Sequence, residues 1–364
     1  MAFNFFENRG YAVNVLYSSF SHSLKKYRKL SNNKFISLET ISYKSSFSLK
    51  RIISYLIFAY KVFKFLGSNK FDLVYINLPP NAIGLSVLFR KNSYTKLIVD
   101  IIDLWPEAFP TNNSLIKNTL LYFAGILPKM IRKRIINYSD FCIAESNFFQ
   151  KQLNLDNKIN SKVIHIKKFQ KFKPNHNSLS SDMSIVYLGN IGNIYDFNSL
   201  FSILEGVLKK RKVTLHIIGL GPLKNWVIEN LNAKKINYFY HGATFDEKLK
   251  EKIISNCWFG YNGYKESTEV ALSYKSVDYL SFGVPLINSA KEDTEYLVNN
   301  ENIGFNFNAK SLDSLIHKLS NICIEDVCNM KRRSYEIFKD KFSEKSYLFE
   351  MDSILASLKK SIDK

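Results

Sequence analysis

Short runs of β-branched and aromatic residues alternate with longer stretches of helical periodicity, the pattern of parallel sheets covered by helices. In the first half the alternation predicts strands at residues 12–17, 35–38, 73–78, 96–102, 141–144 and 163–166. In the second half it predicts strands at 184–188, 214–218, 237–241, 258–261, 285–288 and 304–307. Two α/β domains follow, at 1–170 and 184–333. A polar linker with a Ser/Asn cluster joins them at 171–183, and a helical segment at 334–364 is placed to pack across both.

Two predicted helices carry a second pattern. From residue 50 to 68, Lys50, Ser54, Lys61, Lys64 and Ser68 share one face, and Ile52, Ile53, Leu56, Tyr60 and Phe63 share the other. Residues 120–138 form a basic amphipathic stretch, with Lys129, Arg132, Lys133 and Arg134 after a kink at Pro128. Such helices can lie on anionic lipid. The plainer alternative is a sheet-covering helix with its apolar face turned inward and its lysines in water.

Composition narrows the classes. The chain has 364 residues, 46% of them hydrophobic, which suits a large core and excludes a disordered or collagen-like chain. Cys142, Cys257, Cys323 and Cys328 are scattered without a CxxC, so no zinc site or disulfide framework is expected, and a reducing cytosol fits. The longest apolar run, 52–60, is far short of the roughly 20 residues that span a bilayer. The start lacks the basic and apolar regions of a secretory signal, so a cytoplasmic location is expected.

Charge is unevenly distributed. The net charge is +19, and residues 1–175 carry 27 basic against 9 acidic residues, while 176–364 carry 24 against 23. Lysine is spread evenly, so carboxylates are what the first half lacks. That half is expected to face something anionic, a phosphate-rich ligand or a membrane surface. No helix-turn-helix, RNP or zinc-finger pattern appears, so nucleic acid is not an expected partner.

Candidate chemistry gathers at strand ends. The strand at 184–188 runs into Gly189-Asn190-Ile191-Gly192-Asn193, and the strand at 214–218 into Gly219-Leu220-Gly221, both before helices. Glycines there let a backbone approach a phosphate, or simply make a tight turn. Further on, Ser273 is placed to cap a helix from about 275 to 282, and Asp293-Thr294 to cap another. Lys275 near a helix N-terminus calls for a compensating anion, and Asp278 shares its face. A surface Lys275–Asp278 ion pair is the plainer alternative. In the first half, Asp103-Leu104-Trp105-Pro106-Glu107 follows a strand, where a carboxylate can orient or deprotonate a hydroxyl, or Asp103 can simply cap a helix with Trp105 in the core. His22 is a second candidate there.

Residues 271–298 resemble the donor-binding signature of GT-B glycosyltransferases. The likeness is to the GT4-like bacterial enzymes of capsule and O-antigen synthesis, with their recurring K..(E/D)Y...G.P(V/L)I pattern. YLGNIGNIYDF, IIGLGP, HGATFDEKL, VDIIDLWPEAF and LYSSFSHSLKKYRK resemble family stretches in the family order. The resemblance implies an α/β GT-B fold: two Rossmann-like doubly wound domains facing a central cleft, with a C-terminal helix crossing between them. It implies that Gly189, Asn190, Gly192 and Asn193 lie along a diphosphate, that Gly219 and Gly221 border the nucleoside, and that Lys275 and Ser276 meet phosphates. Asp278 takes the ribose-binding carboxylate position, with Asp103, Glu107 and His22 on the acceptor side.

The sequence departs from the broad family in two places. Val270 stands where the first of two paired glutamates belongs, and the usual Arg/Lys pair after the first strand of the second domain is missing. The family's first strand and glycine turn also have no counterpart before residue 12, so the first domain is expected to lack a central strand. The function implied is retaining transfer of a sugar from a nucleoside-diphosphate sugar to an undecaprenyl-diphosphate-linked glycan. It would proceed without metal or cofactor, at the inner face of the membrane. The rivals are a truncated or non-catalytic partner subunit and a GT-B sugar-nucleotide 2-epimerase.

Overall fold

The structure is a computed structural model and describes residues 1–22, 24–44, 48–92, 95–107, 115–158, 160–169 and 179–360. The chain divides into two compact units, Met1–Ile164 with Glu350–Lys364, and His165–Phe349. Most of the expected linker, residues 171–178, lies outside the described residues.

Unit 1 contains α1 (Ala2–Glu7), β1 (Val15–Ser18), β2 (Phe20–Ser21), β3 (Lys26–Tyr27), β4 (Phe35–Leu38), α2 (Leu49–Ser68) and β5 (Leu73–Leu78). It continues with α3 (Ala82–Arg90), β6 (Lys96–Ile101), α4 (Leu115–Tyr138), β7 (Phe141–Ala144), α5 (Asn147–Gln152) and β8 (Ser161–Val163). Strands β5-β6-β7-β8 form one parallel sheet, and β1-β4 form a separate parallel pair. Among the described residues no strand joins β1 to β5. Side chains span that break: Leu16 and Leu38 pack against the core of the larger sheet. Helix α1 adds Phe3 on Phe35 at 4.8 Å and Phe6 near Tyr75 at 6.1 Å. Apolar burial thus joins two sheets that hydrogen bonds do not.

Unit 2 contains β9 (Met183–Leu188), α6 (Phe197–Leu208), β10 (Val213–Ile218), α7 (Lys224–Ala233), β11 (Asn237–Gly242), α8 (Glu247–Ile254) and β12 (Phe259–Asn262). Then come α9 (Tyr274–Ser281), β13 (Leu286–Asn288), α10 (Glu292–Glu301), β14 (Gly304–Asn306), α11 (Leu312–Asn321) and α12 (Ile324–Ile337). A final helix, α13 (Glu344–Lys360), ends in unit 1. The sheet is parallel in the order β11-β10-β9-β12-β13-β14, so strand order reverses between β9 and β12. In open α/β sheets, ligands bind at the carboxyl ends of the strands beside such a reversal.

Every strand expected from the alternation is present, with shifts at the ends. Residues 12–14 are not strand, and β8, at Ser161–Val163, shares only Val163 with the strand expected at 163–166. The hairpin β2–β3, pairing Phe20 with Tyr27 and Ser21 with Lys26, is too short for periodicity to reveal. Helix α10 starts at Glu292 after Lys291, so Asp293 and Thr294 lie inside its first turn rather than capping it. Thr294 Oγ1 instead donates to the Ala271 carbonyl at 2.6 Å.

Helix α2 overturns the plainer reading of its pattern. Its buried positions are Ser54, Ala59 and Val62, and the Ser86 hydroxyl of α3 donates to the Ala59 carbonyl at 2.6 Å. These small residues let α2 pack on α3, and the large apolar residues Ile52, Ile53, Leu56 and Tyr60 point outward. Phe6 is 6% exposed and packs beside Tyr75. Phe6→Ala is therefore expected to cost unit 1 about 3–5 kcal/mol, read as a lowered urea midpoint.

Candidate functional site

Parallel pairing of β9 with β10, beside the reversal between β9 and β12, places two glycine turns together. Gly189 N–H donates to Ile218 C=O at 2.9 Å, and Ile191 N–H to Leu220 C=O at 2.8 Å. A Cβ on Gly219 would stand 1.8 Å from Gly189 O, and one on Gly221 would stand 2.3 Å from Ile191 O. Those two glycines are required for backbone to touch backbone, whatever else they do. Gly192 is milder, since its Cβ would meet the end of the Asn190 side chain at 2.8 Å. Gly189 is different: it adopts φ +131°, and a Cβ there would meet only Lys275 Cδ, at 3.9 Å. Asn190 and Asn193 are exposed on the same loop.

Helix α9 is held by its polar neighbours. Ser273 caps it, accepting from Ser276 N–H at 3.1 Å, while Ser276 Oγ accepts from Ser273 N–H at 3.3 Å. Ser273 Oγ also donates to Asn262 Oδ1 at 3.2 Å. Asn262 Nδ2 donates to Asn288 Oδ1, and Asn288 Nδ2 to Asn306 Oδ1, each at 2.7 Å. These three asparagines are the last residues of β12, β13 and β14, in register across the sheet. Fully buried, Ser276 has its hydroxyl committed to the capping box.

From that helix start, Lys275 reaches into a cage of tyrosines. Its Nζ lies 4.7 Å from the Tyr187 ring centroid, 4.0 Å from Tyr195 and 4.9 Å from Tyr264. The residue is 7% exposed, and its Nζ is buried with no hydrogen-bond partner among the described residues. Burial drives the lysine pKa well below its usual value. The tyrosine faces compensate in part. Among the described residues no carboxylate pairs with it.

The surface Lys275–Asp278 ion pair is not formed. Asp278 instead accepts from Lys168 Nζ at 2.6 Å, and Lys168 also approaches Glu247 at 3.3 Å. Sequence reading missed Lys168 and the tyrosine cage. The available signal was a run of strands ending in Asn and of tyrosines flanking the glycine turn.

In unit 1, Asp103 lies past the end of β6, where desolvation pushes its carboxyl up and Arg51 opposes the shift. Glu145, just after β7, is pushed up to about 8 by burial and by the charges of Asp100 and Asp103. Glu107 has a different role: Arg132 holds it through two bonds, at 2.9 and 2.6 Å, and also donates to the Trp105 carbonyl at 2.8 Å. Burial opposes ionisation of Glu107, but Arg132 and Lys129 outweigh it and hold the carboxyl below its usual range. His22 Nδ1 lies 3.1 Å from Tyr43 Oη and 3.3 Å from Lys25 Nζ, and burial, Arg51 and Lys25 all lower its pKa. Arg51 is the charge felt by both His22 and Asp103.

No family model and no curated protein matches the chain by sequence. Solved structures match by shape. HepE of Anabaena, solved in complex with UDP, is 15% identical, with 89% of this chain and 86% of that one covered and a TM-score of 0.64. Sucrose-phosphate synthase of Thermosynechococcus elongatus is 13% identical, covering 98% and 92%, with a TM-score of 0.67. A glycosyltransferase of Rickettsia africae is 15% identical, covering 89% and 86%, with a TM-score of 0.59. The chain has the GT-B fold, with parallel sheets in two Rossmann-like sets.

Lys275 gives this site a stability signature. Because its folded pKa is depressed below 10.5, the unfolded chain binds more protons between the two values, and stability rises with pH across that window. Lys275→Met is expected to raise stability at pH 7 by about 1–3 kcal/mol and to flatten that pH dependence, measured by denaturant melts from pH 6 to about 10.

Proposed function

We propose that the chain is a glycosyltransferase that uses a nucleoside-diphosphate sugar, with unit 2 as the donor-binding unit. The observation that carries this reading is the buried, unpartnered Lys275 amino group at the start of α9, beside Gly189, in a GT-B fold. A diphosphate supplies the anion that the tyrosine cage lacks. HepE has been solved with UDP, with UDP and glucose, and with UDP-glucose, which supports a uridine nucleotide as the first donor to try.

In the reaction, the bond between the anomeric carbon and the diphosphate oxygen breaks, and the acceptor oxygen bonds to that carbon and gives up its proton. Lys275 and the N–H groups of the α9 N-terminus stabilise the departing diphosphate, the electrostatic role that a metal ion plays elsewhere. Asp103 takes the acceptor proton, a role that its desolvation favours. Asp278 meets the ribose, with Lys168 steering its carboxylate. The Gly189–Asn193 loop lies along the diphosphate, and Gly219 and Gly221 set the nucleoside pocket. Retention of anomeric configuration, GT4-like kinship and an undecaprenyl-diphosphate-linked glycan acceptor complete the proposal. They place the protein in capsule or O-antigen synthesis at the inner face of the cell membrane.

Calorimetric titration with UDP and with UDP-glucose is expected to show binding that weakens as pH rises, because binding returns a proton to Lys275. Lys275→Ala is expected to weaken UDP binding at least about tenfold and to abolish transfer while the chain stays folded. Undiminished binding in that variant removes Lys275 from the donor site. Epimerisation of the sugar nucleotide without an acceptor overturns the transferase reading.

A further inference from the structure

We propose that the outer face of the three helices α2, α3 and α4 docks this protein on an anionic lipid bilayer, apolar side chains entering the interface and lysines and arginines meeting the headgroups. Helix α3 packs against both of its neighbours, and Val62, Val87 and Ile135, one from each helix, share one core under the sheet. Their opposite faces therefore turn away from unit 1 together. On α2 the outward stripe is Leu49, Ile53, Leu56 and Tyr60, at helical spacing, and it ends in Lys64. On α3 it is Leu85 and Phe89, followed by Arg90.

Helix α4 repeats the arrangement. Tyr122, Phe123, Ile126, Leu127 and Met130 are exposed, Phe123 at 64%, and the same stripe continues into Lys133 and Arg134. All three helices thus carry large apolar residues on the outer face as well as in the core, which a water-facing helix does not need. No helix of the described residues is long and apolar enough to cross a membrane, so this face suits lying on one.

Charge selects the occupant. No acidic residue occurs between Glu39 and Asp72, or between Glu107 and Asp140, and α3 has none. Lys50, Arg51, Lys61, Lys64 and Lys129 add to the basic rim, their methylene stems able to lie along the apolar surface. A second copy of the chain would bring like charges together, whereas anionic headgroups pair with them. The β2–β3 hairpin extends the pattern with exposed Leu24 and Tyr27 beside Lys25, Lys26 and Arg28.

The test reads binding alone, so its failure is separate from failure of the glycosyl-transfer reading. The full chain is sedimented with phosphatidylcholine vesicles, and with vesicles containing roughly a third phosphatidylglycerol. The expected result is binding to the second and not the first, weakened by salt. Leu56→Glu combined with Leu127→Glu is expected to reduce that binding at least about tenfold with the melting temperature unchanged, since both residues are exposed. Tyr296→Glu, at an exposed aromatic on α10, is expected to leave it unchanged.

Three results overturn the proposal: no binding to the anionic vesicles, equal binding by the double variant, or a dimer of the free protein that the same two changes dissociate.

Discussion

A lysine amine taken out of water must be compensated or give up its proton, and the carboxyl end of the unit 2 sheet is organised around Lys275. Three tyrosine faces surround it, and none carries a full negative charge. To hold the lysine there, α9 must start at a fixed place, and the Ser273–Ser276 box with the Asn262–Asn288–Asn306 row sets that place. The turn beside it holds φ +131°, a conformation that Gly189 allows. Such a cage is poor for stability and well arranged for an anion, the trade expected of a binding site.

The two glycine turns separate a structural from a functional requirement. Gly219 and Gly221 are demanded by backbone contact within the fold, at 1.8 and 2.3 Å for a would-be Cβ, so they would be needed in a turn that bound nothing. Gly189 has open space beside it apart from Lys275. What it supplies is a backbone at φ +131° beside Lys275, and that difference is invisible in a row of glycines.

Unit 1 solves a different problem. Its parallel strands form two sheets, and apolar packing by α1, Leu16 and Leu38 joins what no ladder joins. Its helices bury small residues, Ser54 and Ala59 on α2 and Gly84 and Ser86 on α3, beside Val62, Ile83 and Val87, and leave further apolar bulk facing out. The pairing of Glu107 with Arg132 ties the loop after β6 to α4, and Asp103, the other carboxyl of that loop, feels Arg51 and Arg132 without an ion pair to either among the described residues.

The sequence by itself determined the alternation of strands and helices, the two-domain organisation, the glycine turns and the Ser273 cap, because each rests on local backbone preference or on a period of 2 or 3.6. It also carried the carboxylate-poor first half. It left open which face of α2 points inward, because periodicity divides a helix into two faces without naming the neighbour of either; only the small residues of α3 decided that. It paired Lys275 with Asp278, which are adjacent on one helix. The tertiary structure gave Asp278 to Lys168, 110 positions away, and gave Lys275 to tyrosines from three other segments. Charges choose partners by distance in space, and that distance is set by how the strands are ordered in the sheet.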